Sequence, residues 1–225
     1  MAGRNWTVWA GWAAGLGGLV ALVLTPPFAT AYFLSYGVDE TAPFWIDELK
    51  PRVRSWAGAM SPFDFYNRFG RVYDVVYLLM IPAFLVLHDL HRHLGSRLES
   101  RGFRAVMFGL VASFLGVAGD YWADGVGFPV EMLGLLVLAL GSTAYGIALV
   151  RARVVPSWCG WMLVGCAPAT VVAMFLVGHL PSGPTLPLAI VCVPLGFMLV
   201  LTRNAAPSTE QAPPGTDDQH AGPRS

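Results

Sequence analysis

Five ionisable residues fall where apolar segments would carry them to the edge of a bilayer: Arg68, Arg71, Asp74, Asp120 and Glu131. Asp64 and Arg68 are four apart and Arg71 and Asp74 three apart, so on a helix they form a ladder of opposite charges. Asp120 and Glu131 reach the same level from two later segments. Ionisable groups at that depth face the bundle interior and find partners. Three chemistries fit. The first is an ion-pair clasp, with Arg68 or Arg71 holding Asp120 or Glu131 and fixing the packing. The second is a pocket for a polar or cationic ligand built from the same five residues. The third is a catalytic carboxylate pair. Glu131 also sits in the first turn of its segment, where the helix dipole favours an anion.

The run His88-Asp89-Leu90-His91-Arg92-His93 is the other candidate. His88 and His91 at i,i+3 share a helix face and are weak metal ligand candidates. The spacing lacks a partner His or Cys nearby, and His179 is expected a membrane thickness away. Interfacial side chains near anionic headgroups are the simpler reading. No H-E-x-x-H, C-x-x-C, G-x-x-x-x-G-K-[ST] or G-x-S-x-G is present, so no cofactor, metal or nucleophile is expected from motifs.

The elements that position these residues follow from composition. Of 225 residues, 55% are apolar or aromatic and only 12% charged, with mean hydropathy +0.56. The apolar residues come in blocks of about 20, the length that spans hydrocarbon as a helix. Helices also satisfy their own backbone groups, which lipid cannot do. The fold class is therefore all-α, a polytopic membrane helix bundle of about six transmembrane helices with a short amphipathic outer-loop helix. Segment one runs Trp6 to Tyr36, interrupted by Pro26-Pro27. Segment two runs Arg71 to Leu90, with a helix from Pro62 leading into it. The rest are 103–119, 128–150, 156–178 and 184–202. Pro82, Pro168 and Pro194 lie inside segments and are expected to kink them. Gly11 and Gly15, Ala112 and Gly116, and Ser142 and Gly146 are small-residue packing pairs.

The bundle occupies 1–203, with an outer loop at 37–70. Residues 204–225 are too polar to bury an apolar face and are expected to form a disordered cytoplasmic tail. In the loop, Ile46, Leu49, Val53, Trp56 and Met60 follow a helical stripe. Pro51 is expected to split it into two pieces that cover the helix mouths or act as a lid. Ala29-Thr30-Ala31 has the form of a signal-peptide cleavage site. The apolar stretch before it is long for one, so segment one is read as retained.

Basic residues stay on the cytoplasmic side. Arg92, Arg97, Arg101, Arg104, Arg151 and Arg153 mark that side, and both termini fall there. Loop 37–70, with four basic and five acidic residues, is the discordant segment. Net charge is zero, so no nucleic-acid partner is expected. Arg outnumbers Lys thirteen to one, a bias that suggests a GC-rich bacterial genome. Cys159, Cys166 and Cys192 all lie in apolar runs, so no disulfide is expected.

The run Gly141 to Trp161, GSTAYGIALVRARVVPSWCGW, resembles a hairpin in uncharacterised multi-pass membrane proteins of actinobacteria. In them a small-residue helix ends in an Arg-rich turn before Pro-x-Trp. The resemblance implies an integral membrane protein and carries no activity. The sequence is thus read as a cytoplasmic (inner) membrane protein, a non-catalytic accessory or scaffold subunit. Its expected partners are the lipid bilayer and either a membrane protein or a second copy. The alternative is a small transporter or receptor with an outward-facing polar pocket. A membrane enzyme acting on a lipid is third.

Overall fold

The computed structural model describes residues 4–204 except Gly95, Asp124 and Val154. Most of the expected tail, 205–225, lies outside the described residues, as does His220. Among those described, the chain is all-α, with no strand. The elements are α1 (Arg4–Tyr36), α2 (Ile46–Ala57), α3 (Pro62–Gly70), α4 (Val72–His91), α5 (Arg97–Trp122), α6 (Phe128–Ala152), α7 (Ser157–Val164), α8 (Cys166–Val177) and α9 (Ser182–Asn204). Counting α3 with α4, five helices are long and apolar enough to cross a membrane; α7 and α8 together make a sixth, bent by 53°.

Two helix pairs form the frame. α1 packs along α9, and α5 packs along α6, with α4 between the pairs. The α5–α6 contact is set by glycine at seven-residue spacing. A Cβ on Gly102, Gly109 or Gly116 would stand 2.7 Å from Tyr145 N, 2.6 Å from Leu138 Cα and 2.3 Å from Glu131 N. The reciprocal set, Gly127 just before α6 with Gly134 and Gly141 on it, meets α5 backbone as closely. Without a hydrophobic drive between helices in lipid, such backbone approach is what holds them. The α1–α9 pair uses the same device, with Gly11 and Gly18 on the backbone of Gly196 and Ala189. The small-residue pairs are therefore used within the chain.

Two local expectations are corrected. Pro26-Pro27 does not interrupt α1. The prolines have no N–H to donate to the preceding turn, and the hydroxyls of Thr25 and Thr30 bond back to Ala21 O and Pro26 O in the same stretch. Pro51 does not split the loop helix, because Ile46, Val53 and Ala57 lie buried on one face and hold both halves in register. The loop helix covers the bundle as expected, lying on α1, with Trp45 Nε1 donating to Leu176 O on α8 at 2.8 Å. The segment of 156–178 is broken at Gly165 as its proline suggests. Pro168 cannot bond Val164 O; Thr143 on α6 donates to that carbonyl (3.0 Å) and accepts from Ala167 N–H (3.1 Å). The bend is thus a satisfied feature of the fold.

Candidate functional site

Buried polar side chains collect at the end of the bundle where α1 and α5 finish and α6 and α9 begin. Gly178, at φ +66, terminates α8 in the left-handed region that glycine adopts without strain. The chain then turns so that His179 points back into the bundle. Its Nδ1 is 2.9 Å from Ser182 Oγ and its Nε2 3.1 Å from Tyr66 OH. Tyr66 OH is also 2.8 Å from Tyr121 OH. One hydrogen-bonded chain therefore links the α8–α9 turn, α3 and α5. Phe28 of α1 packs on all three of these rings, stacked on Tyr66 at 5.0 Å, tilted to Tyr121 at 5.9 Å and edge-on to His179 at 4.7 Å. Gly70 makes room for the Tyr121 ring, which a Cβ there would meet at 2.3 Å. Burial pushes His179 down to about 3, so the imidazole is neutral, one nitrogen donating and the other accepting.

Beside this chain lies a cavity of about 340 Å³. Its walls include Tyr32, Tyr36 and Tyr66, whose rings lie 5.0, 5.8 and 5.9 Å apart pairwise. Tyr36 and Phe128, both exposed, stand at its rim. Among the described residues two acidic side chains line it, Asp120 and Glu131, and no Arg or Lys does. Glu131 is 1% exposed, and its Oε1 has no hydrogen-bond partner among the described residues. The α5–α6 glycine contact pins it there, since Gly116 abuts the Glu131 backbone. Asp120 likewise makes no ion pair among the described residues.

Among the described residues the expected clasp does not form. Arg71 donates from Nε to Tyr121 O at 3.1 Å and lies 4.2 Å over the Trp122 ring. It serves a carbonyl that the end of α5 leaves free, which is the usual use of a cation there. Arg68 is exposed and lines a separate groove with Trp56. Asp74 accepts from Trp122 Nε1 at 3.0 Å, with its Oδ1 buried and unpartnered, and does not line the cavity. Of the five candidates, the cavity brings together Asp120 and Glu131 only. No residue of α2 lines it among those described, so α2 flanks the site and does not close it.

At the opposite end, His88 and His91 do not converge on a metal. His88 Nδ1 is 2.7 Å from Glu99 Oε1, and its ring stacks on Phe103 at 3.9 Å. His91 Nδ1 bonds Leu87 O within its own helix. Among the described residues no group of three His, Cys, Asp or Glu side chains could hold a metal ion. The three cysteines are free and buried.

Sequence reasoning missed the tyrosines and the inward turn of His179. Tyr32, Tyr36, Tyr66 and Tyr121 all sit near helix ends at one level of the bundle, which is the one signal in the sequence that could have found them. Ser182 pairs with His179 but is fully buried, so it presents no nucleophile to the cavity. No family model, no curated protein and no solved structure matches the chain.

Proposed function

We propose that this chain is a multi-pass protein of a bacterial cytoplasmic membrane that binds an organic cation in an outward-facing pocket, as a receptor or small transporter. The observation that carries the reading is Glu131, buried at the cavity with an oxygen that has no partner among the described residues. A buried carboxyl group with an unpartnered oxygen is an unmet polar cost. A cation entering the cavity offsets it. The surrounding tyrosine faces add cation–π attraction, strongest for a desolvated ammonium. His179 is neutral and does not repel the cation, and among the described residues no guanidinium lines the cavity.

The orientation rests on charge. Arg92, Arg97, Arg101, Arg104 and Arg151 lie at the end away from the cavity, which supports placing that end and both termini in the cytoplasm. The accessory-subunit expectation loses one support, because the small-residue faces that would seat a partner are used between α1 and α9 and between α5 and α6.

The test is calorimetric titration of tetramethylammonium into protein held in lipid nanodiscs. Saturable binding is expected for the wild type. Glu131→Gln, of the same shape and uncharged, is expected to weaken it by about tenfold or more, the scale of a charge contact of ~1.4 kcal/mol or above. Absence of binding, or equal binding to both proteins, would overturn the reading.

A further inference from the structure

We infer that the ligand is an amphiphile, with an ammonium-bearing headgroup in the tyrosine–carboxylate cavity and its hydrocarbon chain in the groove between α6 and α8. This rests on the cation-binding reading above and names the class of cation.

The groove has a volume of about 250 Å³ and begins where the polar cavity ends. Met174 and Leu180 line both. From there it runs along α6 from Met132 to Leu140, a length of about 12 Å at the helical rise. Its opposite wall is α8, from Met174 back to Ala167. The bend at Gly165 creates it. α7 packs tightly on α6, with Gly146 against Val164 N and Gly160 O, and the 53° turn then swings α8 away. Thr143 saturates the broken junction and holds the bend in place.

The polarity along this path is ordered. Both carboxylates and the tyrosines are at one end. Among the described residues that line the groove the only polar side chain is Thr170, whose hydroxyl donates to Pro184 O at 3.4 Å. Leu136, Leu140 and Val171 are exposed on the outer surface of the bundle, where lipid would lie. A chain could therefore pass from the bilayer into the groove without leaving hydrocarbon, while its headgroup meets Glu131. Transfer of a chain from lipid to such a groove gains little. The groove selects by shape, and the headgroup supplies the binding strength.

The experiment compares two probes in nanodiscs: tetramethylammonium, and tetradecyltrimethylammonium kept dilute in the lipid. Ala167→Trp and Val171→Trp each place a bulky ring in the groove and leave the polar cavity untouched. Each variant is expected to weaken the long-chain probe about tenfold through a steric clash, with tetramethylammonium bound as in the wild type. Should both probes bind both variants as they bind the wild type, the chain does not occupy the groove and this inference fails while cation binding stands. Equal loss of both probes in both variants would also overturn it, since head and chain would then not be separately seated. Failure of the long-chain probe to bind a wild type that binds tetramethylammonium would overturn this inference alone; failure of tetramethylammonium to bind the wild type would remove the cation-binding reading itself.

Discussion

Gly116→Ala is the sharpest perturbation of the frame that carries Glu131. The added methyl would sit 2.3 Å from Glu131 N and 2.4 Å from Glu131 Cα, where ordinary contact begins at 3.4 Å. The shortfall is about 1 Å, and both obstructing atoms are helix backbone that no side-chain rotation can move. α5 and α6 must separate locally. Overpacking of this kind costs ~1–3 kcal/mol, and the rigid obstruction argues for the upper half of that range. The methyl also gains helix propensity of up to ~1 kcal/mol over glycine, too little to reverse the sign. The assay is reversible unfolding in mixed micelles by titrated denaturing detergent. Gly15→Ala is the matched control, because its nearest atom is 4.0 Å away. Gly116→Ala should unfold earlier by ~1–3 kcal/mol and bind the ammonium probe more weakly. Equal stability of Gly116→Ala and the wild type would refute the argument that backbone approach holds this pair.

Other outcomes follow from the same geometry. Gly11 and Gly15 look equivalent in sequence, yet only Gly11 is blocked, at 2.7 Å from Gly196 O. Gly11→Ala should destabilise by ~1–3 kcal/mol and Gly15→Ala should not, read in the same unfolding assay. Thr143→Val should cost ~1–3 kcal/mol by leaving Ala167 N–H and Val164 O unsatisfied, and Thr143→Ser should restore most of it. His179 has a folded-state value near 3 against 6.5 when unfolded. The unfolded chain thus binds the extra proton between those values. Stability is complete above pH 6.5 and falls as pH drops toward 3, with a slope approaching about 1.4 kcal/mol per pH unit for the one group. His179→Gln should flatten that part of the profile; an unchanged slope would count against a buried neutral imidazole.

The spans were legible because lipid allows one solution for a long apolar block, a helix with its own hydrogen bonds. The break in the fifth segment was legible from Pro168 for the same reason. The residues that make the site were harder. Asp120 and Glu131 were visible as acids at one level, but their lack of a basic partner was not. Arg71 could equally have served a carboxylate or the end of α5, and sequence spacing does not distinguish the two. The glycines at 102, 109 and 116 carry a seven-residue period that a search for four-residue pairs passes over. His179 joins Tyr66 and Tyr121 only through the turn after Gly178, and nothing local to those tyrosines announces that contact. The pairing of His88 with Glu99 depends likewise on how the α4–α5 turn closes.

Chemical footprinting of Glu131 tests the central claim most directly. An apolar carbodiimide reaches carboxyl groups from lipid or from an open cavity, and peptide mass spectrometry locates its adducts. The account predicts an adduct on Glu131 that tetramethylammonium suppresses in proportion to occupancy, while modification of the exposed Asp47 is unaffected. An adduct on Glu131 that persists at saturating ammonium, or none there while Asp47 reacts, would contradict it.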